Sequence, residues 1–196
     1  PETETWIAQH HSALAGVAGE RVLAELEKLA AAPSGHQQLG LCLELNLLTP
    51  WRGQVQPSDQ LLLSRSTAQA AQELGLNGSE QAWALPLARL AAALNGTALQ
   101  QLHSSRKLKQ RVITLRHWQQ RLGASNPAQA AEALPESERL QLHRELEDDL
   151  PALLLSWHAS QGRPWLVRWR DLEDRLFHPR PAIHGLSLQR AFELKA

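Results

Sequence analysis

Along most of the chain, apolar positions recur at three- and four-residue steps, the spacing of one face of an α-helix. The clearest case is Ser104–Leu122, SSRKLKQRVITLRHWQQRL. Leu108, Val112, Leu115, Trp118 and Leu122 form its stripe, while Arg106, Lys107, Lys109, Arg111, Arg116 and Arg121 mostly face elsewhere. Gly123 follows as a helix stop. This stretch reads as the central helix, its stripe in the core and its basic face either solvated or a docking surface.

The same periodicity divides the remainder. Glu2–Val17 predicts a helix with Trp6, Ile7, His10, Leu14 and Val17 on one side; Glu20–Ala32 predicts another with Val22, Leu23, Leu26 and Leu29, closed by Pro33, Ser34 and Gly35. Leu39, Leu41, Leu43, Leu45 and Leu47 alternate as a strand would, but Leu41, Leu45 and Leu48 also fit a helix, which leucine favours. Thr49–Asp59, TPWRGQVQPSD, reads as loop by its two prolines and its glycine. On it, Trp51 and Arg52 form either an exposed partner anchor or a plug onto the core. Ser58 reads as the cap of a helix reaching Glu73 or Leu74, Gly75–Gly78 as a break, and Ser79 as the next start, with Glu80 in the first turn.

Pro86 kinks or restarts that helix, Asn95 and Gly96 stop it, and Thr97–His103 leads into the basic helix. Asn126 and Pro127 open a short helix to Leu134. An acidic helix after Pro135 buries Leu140, Leu142 or His143, and Leu146, and the nearly apolar Leu150–Ser160 reads as interior. Gly162 and Pro164 then turn the chain into a last helix carrying Trp165, Val167 or Trp169, Leu172 and Leu176. His178–Gly185 is irregular by its prolines, and Ser187–Leu194 adds a terminal turn. The expected fold is therefore all-α, one compact domain over residues 1–196 with about eight to ten helices, residues 1–48 forming a smaller N-terminal lobe.

Composition adds little to the fold but changes the picture of charge. The formal net charge is zero, with 20 basic and 20 acidic residues, so bulk electrostatics favour neither nucleic acid nor an anionic membrane. The distribution is uneven. No Asp or Glu lies between Glu80 and Glu132, a span holding Arg89 and the whole basic helix, whereas Glu132–Asp149 is dominated by acids. A single cysteine, Cys42, excludes an intrachain disulfide and a Cys-rich metal site and suits a reducing cytoplasm. No apolar run reaches spanning length and the start shows no signal core; a start at Pro1 without any Met is expected of a trimmed N-terminus.

Candidate chemistry is sparse. His143 and Glu147 stand at helical i and i+4, but two ligands do not make a zinc site and no HExxH occurs. His10 and His11 point to different helix faces. Asp171 and Asp174 share a side without a second acidic motif opposite, and the common hydrolase, nucleotide-binding and deaminase signatures are absent. No metal, cofactor or enzymatic activity is expected, although a site assembled from distant residues of a helical bundle stays open. Leu87–Lys107 has the length of a helix-turn-helix. It departs from that motif in having Asn95 before the glycine and a short, uncharged second helix at Thr97–His103, so a DNA-binding regulator is the alternative reading.

Two segments, LARLAAALNGTALQQL with the basic helix after it and LPALLLSWHASQGRPWLVRWRDLEDRL, resemble the helical accessory component of the bacterial type III secretion sorting platform, the SctK family. The likeness covers roughly Trp83 to Leu176 and consists of Leu, Gly and Trp spacings. It implies a non-enzymatic cytoplasmic adaptor joining a membrane-ring component to cytoplasmic sorting-platform proteins, reaching the inner membrane only through partners; it carries over no site residues. Protein partners, rather than nucleic acid or inserted membrane, are then expected at Arg106, Lys107, Lys109 and Arg111, with Trp51 and Arg52. The acidic helix Glu136–Asp149 either neutralises this face or lies elsewhere and meets a second partner; the crowding of four cations favours the second arrangement.

Overall fold

The computed structural model describes residues 11–123 and 125–178. After a 3-10 turn at His11–Gly16 come twelve α-helices, and there is no strand among the described residues. In chain order they are α1 (Gly19–Ala31), α2 (Gly35–Glu44), α3 (Thr49–Arg52), α4 (Pro57–Arg65), α5 (Ala68–Leu74), α6 (Gly78–Ala93), α7 (Gly96–Gln101), α8 (Arg106–Leu122), α9 (Pro127–Glu132), α10 (Glu136–Glu145), α11 (Leu150–Leu154) and α12 (Ala159–Arg170). One apolar cluster runs from Leu23 to Phe177. Of the expected first helix only the 3-10 end falls within the described residues; Pro179–Gly185 and the expected turn at Ser187–Leu194 lie outside them.

The centre is α6, not the basic helix. Every residue from Leu87 to Leu94 is buried, and α1, α2, α4, α5, α8 and α11 all pack on this one element. A helix wrapped on all sides needs no polar face, so it shows little amphipathic contrast in its sequence, and its alanines let neighbouring backbones approach. Its start is fixed by a reciprocal cap: Asn77 Oδ1 accepts the Glu80 amide at 2.9 Å and the Glu80 carboxylate accepts the Asn77 amide at 2.8 Å. The helix continues through Pro86 rather than restarting there.

Arg89 is the one charge in that buried run, and 1 % of it is exposed. It meets backbone carbonyls: Nε donates to Ser66 O at 2.9 Å, and Nη1 to Ala30 O and Ala32 O, each at 2.7 Å. These oxygens close α1 and α4, where helix ends leave carbonyls unpaired and partially negative. Burial lowers the Arg89 pKa from its ordinary value, but an arginine does not give up its proton in a protein. The approach is tight: a Cβ on Gly35 would lie 2.3 Å from Leu29 O and 2.8 Å from Arg89 Nη1, so only glycine fits there.

Several boundaries differ from the sequence expectation. The Leu39–Leu47 stretch is mostly helix, in α2, with Leu39 and Leu43 buried. Thr49–Asp59 is not loop throughout, because Pro50 and Pro57 sit in the first turns of α3 and α4, where a missing amide costs nothing. The helix expected to run on to Leu74 is two. Gln56 and Asp59 cap α4, and the chain breaks at Ser66 before Thr67 Oγ1 accepts the Ala70 amide at 3.0 Å to start α5. Gly162 and Pro164 do not turn the chain; both lie inside α12, where a Cβ on Gly162 would come within 2.6 Å of Leu74 Cδ1 on α5. Leu140, Val167 and Leu172, expected inside, are exposed, while Leu142, His143, Leu146, Trp165 and Leu166 are buried. Finally, Arg170 at the end of α12 donates to both Glu80 carboxylate oxygens and to Gly75 O, clasping the start of α6.

Candidate functional site

The stripe of α8 is core as expected: Val112, Leu115, Trp118 and Leu122 are buried, with Leu108 packed against them. Ser105 Oγ accepts the Leu108 amide at 3.2 Å and fixes where the helix begins. The first turn holds no acid. It holds Arg106, Lys107 and Lys109, at the end where the helix dipole is already positive and cations are disfavoured. Arg106 and Lys107 are exposed and form no ion pair among the described residues. Lys109 Nζ donates to Gln100 Oε1 at 3.2 Å.

Further along, the basic face is neutralised. Arg111 grips Asp149 through Nε, at 3.1 and 3.0 Å to its two oxygens, and through Nη2 at 2.6 Å; that carboxylate raises the Arg111 pKa above its ordinary value. Arg121 pairs with Glu138 at 2.9 Å, and the Trp118 indole donates to Glu145 at 3.0 Å. The acidic stretch therefore lies along one flank of α8. This corrects the expectation of two separate, oppositely charged faces, and it makes Arg111 a clamp between α8 and the residue before α11 instead of an open docking group. The unbalanced charge is confined to the tip.

Trp51 and Arg52 correct the expectation of an exposed loop anchor. Both lie on α3 and are buried, 7 % and 6 % exposed. Arg52 reaches Asp59, which is fully buried and also accepts from Arg116 Nη2 at 2.9 Å; Arg116 Nη1 donates to Ala91 O at 2.6 Å. Burial pushes the Asp59 carboxyl up, but the Gln56 amide and the charges of Arg116 and Arg52 outweigh it and hold it below the usual carboxylate range. Trp51 forms part of the wall of a largely apolar cleft with Leu14, Val22, Leu26, Cys42 and Leu48. The capping relation of Gln56 and Asp59 is readable at three-residue spacing. The partner Arg116, 57 positions away, has no local signal.

The remaining sequence candidates are not assembled. His143 is packed between Trp165 and Phe177, with ring centroids at 5.2 and 4.2 Å, and neither ring nitrogen has a hydrogen-bond partner among the described residues. Burial, with the charge of Arg168, pushes its pKa down to about 4. Glu147 is instead 3.1 Å from His178 Nδ1, and no group of three or more His, Cys, Asp or Glu is poised for a metal among the described residues. Asp174 pairs with Arg168 beyond the end of α12. The would-be recognition helix α7 is short and packed on α3 and α8. No helix among the described residues is long and apolar enough to cross a membrane.

A family model described as the probable RNA- and SrmB-binding site of polymerase A matches residues 1–51, which include α1, α2 and the start of α3. Neither the comparison with curated proteins nor that with solved structures gives a match.

Proposed function

We propose that this chain is a non-catalytic, RNA-binding helical module whose contact surface combines the α1–α3 segment with the cationic tip of α8. The observation that carries this is adjacency. Gly19, at the start of α1 and inside the matched segment, sits so close to the α7–α8 junction that a Cβ would lie 2.8 Å from Gln101 O and 2.9 Å from Leu102 Cα. Arg106 and Lys107 follow that junction within one turn. Among residues 13–51, Arg21 and Lys28 stand against Glu20, Glu25, Glu27 and Glu44, so the positive charge such a surface needs comes from α8. Phosphate oxygens would relieve both the mutual repulsion of these cations and their conflict with the helix dipole.

The test is titration of a labelled single-stranded RNA with the full chain at increasing KCl, for the wild type and for Arg106→Ala/Lys107→Ala. Each phosphate neutralised contributes a slope of roughly −0.7 in log K against log salt for a single strand. The double variant should therefore bind less tightly, with a slope shallower by about 1.4. No binding at low salt, or an unchanged slope, would overturn the reading. The adaptor of a secretion assembly is the second reading, favoured by the same two cations, which have no acidic partner among the described residues, facing an acidic protein instead. It predicts no RNA affinity and loss of a protein partner in the double variant.

A further inference from the structure

The cleft between the 3-10 turn, α1, α2 and α3 has a volume of about 500 Å³, well inside the range of roughly 300 to 1,000 Å³ typical of binding pockets. Its wall is apolar, with Trp51, Val22, Leu26 and Leu48 in it, and Arg21 and Glu25 are its only charged groups among the described residues. A nucleotide suits it poorly. A phosphate would meet one cation beside one acid, and a base edge would lose its hydrogen bonds to water with little to replace them.

The groups around the cleft point to its occupant. Val17 lines it while 40 % exposed, an apolar side chain in water beside an apolar hollow. Arg21 and Glu25 are both exposed, one helical turn apart on α1. Arg21 has no hydrogen bond or ion pair among the described residues. Glu25 gives only Oε1 to Lys28, at 2.7 Å, and leaves Oε2 open. A positive and a negative group one turn apart are their own complement: turned about a two-fold axis, each faces the opposite sign, which is the condition of an isologous interface.

We infer that a second copy of this chain covers the cleft, the two α1 helices lying antiparallel about a two-fold axis at the level of Leu23. In that register Arg21 of each subunit faces the partner's Glu25, in both directions. Val17, two residues before the helix, comes to the far half of the partner's α1, beside the partner's Leu26 and the partner's Leu29, and so enters the apolar hollow. Apolar burial supplies the affinity. The two charge pairs fix the register and exclude a parallel arrangement, in which like charges would meet. One cleft and one helix face make a small interface beside the roughly 800 Å² per partner of a standard one, so the dimer should be weak, with Kd on the order of tens of micromolar. The inference is independent of the RNA reading, whose positive charge comes from the α8 tip.

Sedimentation velocity of the full chain from about 1 to 300 µM tests it: the mass should rise from monomer towards dimer across that range. Val17→Asp, at an exposed position, should weaken dimerisation by roughly tenfold or more. Arg21→Glu and Glu25→Arg should each be monomeric, because like charges then face each other across the axis, whereas an equimolar mixture of the two variants should restore the dimer as a mixed pair. Rescue in the mixture reads the register itself, and a variant that merely loosened α1 would not produce it. A wild type that stays monomeric throughout, a dimer indifferent to Val17→Asp or to both charge reversals, or a mixture that stays monomeric would each overturn the inference. A monomer whose RNA affinity falls with Val17→Asp would overturn it too, and would assign the cleft to the strand.

Discussion

Helices α6 and α8 are nearly equal in length, 16 and 17 residues, and they handle positive charge in opposite ways. α6 carries one arginine inside the core and gives it backbone carbonyls instead of carboxylates. α8 carries six basic residues at the boundary: Arg111, Arg116 and Arg121 are paired with acids, while Arg106, Lys107 and Lys109 at its tip have no acidic partner among the described residues. The lesson is that a cation's place in the fold depends on what waits for it. Helix-end carbonyls from two other elements make a buried arginine a joint, whereas a positive helix start makes an exposed one an unsatisfied contact.

The largest break in that comparison is Arg89→Ala. It strips donors from four carbonyls and leaves a hole among α1, α4 and α6, so unfolding free energy should fall by about 4 kcal/mol. The thermal midpoint should drop by roughly 8 to 16 °C, at about 2 to 4 °C per kcal/mol for a chain of this size. A change of only a degree or two would show that the carbonyl joint is not what ties these helices. Asp59→Asn comes next. It leaves Arg52 and Arg116 without a counter-charge at a site with 1 % side-chain exposure, and should cost about 3 kcal/mol in urea unfolding.

His143 sharpens the rule from the other side, being as deeply buried as Arg89 but without hydrogen-bond partners for its ring nitrogens among the described residues. Its pKa is pushed down to about 4 from 6.5, so the unfolded chain takes up the proton first. Its contribution is whole above pH 6.5, falls as pH drops through that value, and levels off below about 4. At about 1.36 kcal/mol per pKa unit, stability should decline by about 2 kcal/mol between pH 7 and pH 5. The carboxyls of Asp59, Glu80 and Asp174 are held low and lose their contributions only in stronger acid. His143→Phe should flatten the curve between pH 7 and pH 5; an unchanged slope would assign it to another group. The smallest effect belongs to the α8 tip. Arg106→Glu/Lys107→Glu should raise stability by less than about 0.5 kcal/mol, because acids suit a helix start. A measurable loss of stability would mean the tip is part of the packing.

The helical class was legible because leucine and alanine at helical spacing recur throughout, and because Asn126 before Pro127 is a local cap signal; Asn77 and Asn95, which cap α6 and α7, read instead as part of a break and of a stop. The centre was not. Periodicity singles out the helix with one wet face, which is α8, whereas a helix buried all round, such as α6, shows no contrast to detect. The prolines at 50, 57 and 164 read as breaks although they stand within helices, since a proline's tolerance depends on its turn and not on its identity. At the candidate site, Arg106 and Lys107 stood out by charge density. The pairing of Arg111 with Asp149, 38 positions on, and the burial of Arg52 against Asp59 are products of tertiary packing.

The clasp between Arg170 and Glu80 has a consequence for the chain as it is made. Its partners are 90 positions apart, and at ribosomal rates of about 5 to 20 residues per second the guanidinium is added roughly 5 to 18 s after the carboxylate it will hold. Every carbonyl that Arg89 grips belongs to a residue already synthesised by then. Vectorial synthesis therefore orders the two joints: the inner one can close around α1 and α4 while the chain is still growing, and the start of α6 waits, held by its local cap of Asn77 and Glu80, until α12 arrives to lock it.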